Sequence, residues 1–189
     1  MSLLRLLLIS GSLRRGSSNT AALRTVQALV PVGVETDLYD GLATLPAFNP
    51  DDDAEGEPLH PAVLNLRTRI DRADGVLVST PEYAGALPGS FKNLLEWTVG
   101  GGNLYGKPVA WFNVAGEASP TGAADAHASL RKVLGYSGAV VVEKACTRIP
   151  LTRQSVGEGG PLTSPVLRAT FEASLAIFLN HLGILTDKS

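Results

Sequence analysis

With 189 residues, 44% apolar and 18% charged, the chain has the length of one ordinary domain and enough apolar side chains for a full core. Its formal net charge of −2, with both signs spread along the chain, gives no electrostatic reason to bind nucleic acid or an anionic membrane. The one cysteine, Cys146, excludes an internal disulfide, suits a cytoplasmic setting, and reads as a small core residue near a strand end rather than a nucleophile.

Leu4–Ile9 reads as a buried strand. Its apolar run, interrupted by Arg5, falls far short of the ~20 residues that a membrane span needs. Leu23, Val26 and Val30 share one face of a helix between Thr20 and Val30, which Pro31 stops. Val34–Tyr39 is a second strand. The polar, proline-bearing stretch that follows, with its Asp51–Asp53 run, reads as solvated loop. Val63, Leu66, Ile70 and Ala73 mark a helix and Gly75–Ser79 a third strand. A helix over Ser90–Val99 turns Phe91, Leu94, Leu95 and Val99 inward. Pro108–Val114 is a fourth strand, Ala124–Leu134 a helix, and Ala139–Val142 opens a fifth strand. Ser164 and Pro165 then start a last helix, as cap and first-turn proline.

Continuously apolar strands alternating with amphipathic helices require a parallel sheet covered on both faces. The expected fold is therefore one domain over residues 1–189. It is a three-layer, doubly wound, five-stranded α/β sheet in the flavodoxin-like order 2-1-3-4-5. Ligands of such sheets sit outside the carboxyl ends of the strands, beside the switch point between strands 1 and 3. The loops after strands 1, 3 and 4 reach that place.

The first loop is GSLRRGSSNT, residues 11–20, ahead of a helix N-terminus. Unpaired N–H groups and the helix dipole there favour an anion. Ser12, Ser17, Ser18, Asn19 and Thr20 add neutral donors, and Arg14 can grip phosphate oxygens through two nitrogens. A terminal phosphomonoester suits this set; the rival reading is that Ser18 or Asn19 caps the helix while the arginines face water. Neither GxGxxG nor GxxxxGK[ST] is present, which disfavours a Rossmann dinucleotide site and a P-loop. In the second loop Pro81 stiffens the backbone, Gly85 allows close approach, and Tyr83 offers an aromatic face to something flat. Glu82 has the chemistry of a general base, but a structural bond to a neighbouring loop or subunit suits it better. The third loop, Asn113–Gly122, borders the other side of a flat ligand. His60, His127 and His181 show no metal-ligand spacing, so no metal site is expected.

Two segments, GSLRRGSSN and PEYAGALPGSFKNLLEW, resemble the GSxRxxSxN and PEYNxxxPGxLKNxxDW motifs of the NADPH-dependent FMN reductase family. That family includes azoreductase-, quinone reductase- and chromate reductase-like flavoproteins. The resemblance runs from strand 1 to about Arg131. It implies a flavodoxin-like fold, bound FMN, and homodimers or homotetramers with flavin sites near subunit contacts. Carried over by position, Ser12, Arg14, Ser17 and Asn19 would hold the FMN phosphate, with Ser18 and Thr20 beside them. Pro81, Glu82, Tyr83 and Gly85 would line the isoalloxazine ring, while Lys92, Asn93 and Trp97 are structural. Ala84 stands where the family usually has asparagine, so a side-chain amide near the ring is lost. In the third loop only Gly116 carries over.

The resemblance implies an FMN-dependent NAD(P)H oxidoreductase that passes electrons from NADPH or NADH through FMN to a small-molecule acceptor. That acceptor is a flavin, quinone, azo compound or metal oxyanion. No catalytic side chain is expected, because the cofactor carries the chemistry. The rival is a flavodoxin-like electron carrier that does not oxidise NAD(P)H itself. Such carriers are usually strongly acidic and lack arginine in the phosphate loop, so Arg14 and the near-neutral charge favour the enzyme.

Overall fold

A computed structural model describes residues 3–156 and 160–183. Its sheet runs in the order β2-β1-β3-β4-β5, all neighbours parallel. The strands are β1 (Leu4–Ser10), β2 (Val34–Tyr39), β3 (Gly75–Ser79), β4 (Pro108–Asn113) and β5 (Val140–Val141). This is the expected doubly wound, flavodoxin-like order. The helices are α1 (Ser18–Gln27), α2 (Pro61–Arg72), α3 (Gly89–Glu96), α4 (Ala124–Tyr136), a single turn α5 (Arg153–Val156) and α6 (Pro165–His181).

The central strands are buried on both sides, yet their residues still alternate between two cores. Leu6 and Leu8 of β1, with Leu77, Ala110 and Phe112, face α1 and α6. Leu7 and Ile9, with Val76, Val78, Val109 and Trp111, face α2, α3 and α4. The period of two assigns each strand residue to one face, and burial of both faces removes the polar alternation from the sequence.

The sheet edge departs from expectation. A separate strand, β6 (Thr147–Arg148), also pairs with β4, through Phe112↔Thr147 and Asn113↔Arg148. β5 pairs with the start of β4, through Pro108↔Val140 and Val109↔Val141. The fifth position is thus shared by two short strands, separated by a 3-10 turn over Glu143–Ala145 that bulges from the ladder. Cys146 lies beside this bulge, half-buried, and its burial pushes the thiol up to about 11, so it stays protonated.

Two polar fastenings hold the long segment between β2 and α2. Asn93 on α3 accepts from the Phe48 N–H (2.7 Å) and donates to the Pro46 carbonyl (2.8 Å), and Trp97 Nε1 donates to that same carbonyl (2.9 Å). This explains the structural place of Asn93 and Trp97. The acidic run is not all solvated. Asp51 and Asp52 are exposed, but Asp53 is paired with the buried Arg67 at 2.6 Å, with side-chain exposures of 8% and 9%. Arg67 Nε also donates to the Trp97 carbonyl (2.8 Å). A Cβ on Gly100 would lie 2.1 Å from Asp53 Oδ2, so the pair fills a cradle that only glycine leaves open.

Breaking this pair from one side strands a buried charge. Arg67→Met is expected to cost about 3–5 kcal/mol in urea unfolding, and a loss below about 1 kcal/mol would contradict the pairing.

Candidate functional site

The site begins with a close approach. Gly11 follows β1, and a Cβ there would lie 2.3 Å from Thr80 Oγ1. Its N–H donates to the Ser79 carbonyl at the end of β3 (2.9 Å). The first and second loops therefore leave the sheet in contact. Asn19 and Ser79 deepen the junction. The fully buried Ser79 hydroxyl lies 2.9 Å from Asn19 Oδ1 and 3.0 Å from the Phe112 carbonyl, tying α1, β3 and β4 together.

A cleft of about 580 Å³ opens outside these strand ends. Arg14, Ser18 and Asn19 line it from the first loop, and Thr80, Pro81 and Glu82 from the second. Residues 114–119 and Ala123 form the third wall, with Leu151 and Thr152 behind Gly116. A Cβ on Gly116 would lie 3.1 Å from the Leu151 carbonyl, so the small residue lets the two segments close.

Of the residues expected at the site, Arg14, Ser18, Asn19, Pro81, Glu82 and Gly116 share this cleft. The others do not line it. Ser17 is the N-cap of α1, accepting from the Asn19 N–H at 3.2 Å. Thr20 Oγ1 lies 2.9 Å from Ser10 Oγ, and the Ser12 hydroxyl accepts from the Arg14 N–H at 3.3 Å. Tyr83, Ala84 and Gly85 form an exposed hairpin tip beside the cleft. Thr80 opens the second loop expected at the site but is not singled out there as a site residue, and Leu151 and Thr152 were missed by sequence reasoning. Thr80 directly follows β3, which is a usable signal; Leu151 and Thr152 arrive behind a two-residue strand with no periodicity to reveal it.

The electrostatics divide the cleft. The guanidinium of Arg14 is exposed and has no internal partner among the described residues, and its loop, residues 11–20, contains no acid. Asn19 Oδ1 is engaged by Ser79 while its Nδ2 has no hydrogen-bond partner among the described residues. With the N–H groups of the first turn of α1, these donors suit a phosphate. The third wall, by contrast, is mostly small and apolar: Val114, Ala115, Gly116 and Ala118. Such a pairing of an anion cradle with a smooth wall fits a phosphorylated flat ring. Glu82 is not free to act as a base. Its carboxylate accepts from Thr121 Oγ1 (2.5 Å) and from the Ala126 N–H in the first turn of α4 (3.0 Å), and these bonds hold its pKa below the ordinary 4.5.

The hairpin tip has its own explanation. Tyr83 and Ala86 exchange both backbone hydrogen bonds (3.0 and 3.1 Å), and the residues between them, Ala84 and Gly85, have φ of 51° and 70°. Positive φ at both central positions is the type I′ signature, which favours asparagine or glycine. Ala84 therefore occupies a left-handed position at some cost, and an asparagine there is suited to the turn itself.

The sequence profile of the NADPH-dependent FMN reductase family matches residues 4–150. An NAD(P)H-dependent FMN reductase of Pseudomonas aeruginosa is 38% identical over 135 residues, covering 70% of each chain. A quinone reductase of Escherichia coli is 33% identical over 145 residues, covering 75% of this chain and 74% of that protein. Among solved structures, FerB of Paracoccus denitrificans, a flavoenzyme NAD(P)H:(acceptor) oxidoreductase, superposes with a TM-score of 0.76 at 28% identity. That match spans 94% of this chain and 98% of FerB.

Two outcomes follow from the geometry. Ala84→Asn is expected to raise stability by about 0.5–1 kcal/mol by relieving the left-handed alanine; a loss would contradict the turn assignment. Glu82 has a folded pKa below its ordinary value, so its contribution is full above 4.5 and is lost as pH falls through the lower, folded value. The unfolding midpoints of wild type and Glu82→Gln should differ at neutral pH and converge in acid. A gap that persists at the lowest pH would count against the carboxylate's bonds.

Proposed function

The chain belongs to the NADPH-dependent FMN reductase family and is an FMN-dependent NAD(P)H oxidoreductase; we propose that the three-loop cleft is where FMN binds. The observation that carries this placement is the donor set of the first loop, an Arg14 guanidinium with no partner among the described residues, beside the N-terminus of α1 with no acid on the loop. Arg14, Ser12, Ser17, Ser18, Asn19 and Thr20 would hold the phosphate, with Ser17 and Thr20 also fixing the helix start that presents the N–H groups. Pro81, Glu82 and Gly116 would flank the ring within the cleft, and Tyr83, Ala84 and Gly85 would form its rim.

Bound FMN supplies the chemistry, taking two electrons from NAD(P)H and passing them to a second acceptor. The chain's own work is positional. Arg14 and the α1 N-terminus offset the phosphate charge. The small residues of the third wall let a planar co-substrate approach closely, and Pro81 keeps the opposite wall stiff. No side chain is assigned as acid or base; the Glu82 carboxylate is committed to Thr121 and α4. The acceptor is a small molecule, and the quinone reductase relative supports the quinone class. The same reading takes residues 1–189 as one FMN-binding domain, working in the cytoplasm as a homodimer or homotetramer. The resemblance of its motifs to the family's supports that assembly, and the lone cysteine supports that compartment.

NADPH added without oxygen to the FMN-loaded protein should bleach the flavin absorbance. A flavin that stays oxidised would favour the electron-carrier reading. Arg14→Ala should raise the FMN Kd at least about tenfold, as expected for losing charged hydrogen bonds, and an unchanged Kd would move the phosphate elsewhere.

A further inference from the structure

We propose that Glu82 is a positioning residue that latches the two walls of the cleft together by capping α4 from outside the helix. The start of α4 is unusual. Its N-cap, Ala123, is buried, left-handed at φ 60°, and offers no side chain to the first-turn N–H groups. Helices that begin without a capping side chain leave those donors unpaired. Glu82 supplies the missing acceptor from the other wall. Its Oε2 takes the Ala126 N–H, and Oε1 takes the Thr121 hydroxyl, whose oxygen in turn accepts from the Ala123 N–H at 3.1 Å. The Ala123 carbonyl is taken as well, by His127 Nδ1 at 2.7 Å.

The geometry gives this contact leverage over the cleft. The third wall is fastened at its β4 end by Asn113, which donates to the Gly122 carbonyl (2.7 Å) and accepts from the Ala115 N–H (3.0 Å). Across the cleft, Glu82 sits between Pro81 and the two-residue hairpin from Tyr83, so its backbone is stiff on both sides. One short carboxylate therefore sets the spacing between residues 80–82 and the segment 114–123, whose residues 114–119 and Ala123 line the cleft opposite them. The consequence for FMN rests on the placement made in the preceding subsection; the latch itself does not.

The test uses Glu82→Gln, Thr121→Val and the double variant. In the FMN-free protein, amide exchange at Asp125 and Ala126 should be at least tenfold faster in Glu82→Gln than in wild type. FMN fluorescence titration should show the Kd rising at least tenfold. Thr121→Val, at an exposed position, should move both readouts in the same direction and carries the test alone if Glu82→Gln fails to fold. In the double variant the two effects should be less than additive, as expected for one network. Wild-type exchange rates in both single variants would overturn the latch. Faster exchange with unchanged FMN affinity would overturn its positioning role, since a merely stabilising contact lowers the melting temperature and leaves affinity alone. A wild-type protein that bound no FMN would contradict the cofactor placement, and the exchange rates would still decide the latch.

Discussion

The buried hydroxyl of Ser79 is the point on which the cleft depends. It sits at the carboxyl end of β3, fully enclosed, with Asn19 from the start of α1 on one side and the β4 carbonyl of Phe112 on the other. A polar group left unpaired there would cost about 1–3 kcal/mol, so the three elements are held at one spacing. Gly11 exploits that spacing, passing so close to Thr80 that any side chain would collide. The first two loops are thus launched from a junction that has no slack, and the third is closed on itself by Asn113.

From that junction outward the chain separates rigid parts from chemical ones. Ser17 and Thr20 are hydroxyls of the first loop, and their bonds cap α1 and tie it to Ser10. Arg14 lines the cleft with no internal partner among the described residues. Glu82 shows the same division. It is an ionised carboxylate beside the site, and its bonds go to the next wall instead of the cavity. A flavoenzyme of this kind needs its walls held to within a fraction of an ångström more than it needs an acid or base.

How much of this was legible in the sequence follows from burial and locality. β2 and β3 read off within their observed limits, because Gly75–Ser79 is a short apolar run and Val34–Tyr39 sets Val34, Thr36 and Leu38 alternately with the acids Glu35 and Asp37, each between clear breaks. Ser164 with Pro165 announced α6, since cap and first-turn proline are local signals. The split edge was not legible: β5 and β6 have two residues each, and Val140 is exposed, so no periodic pattern exists there to read. Asp53 looked like part of a solvated acidic run because its partner, Arg67, and its cradle, Gly100, come to it only through the fold. Likewise Ala84 looked like the loss of an amide, and its left-handed backbone supplies a reason that residue identity alone does not carry.

A crystal structure of the protein grown with FMN tests the central claim most directly. The phosphate is expected against Arg14 and the N-terminus of α1, with the ring running along Pro81 and Gly116. FMN density outside this cleft, or a phosphate bound away from the 11–20 loop, would contradict the account.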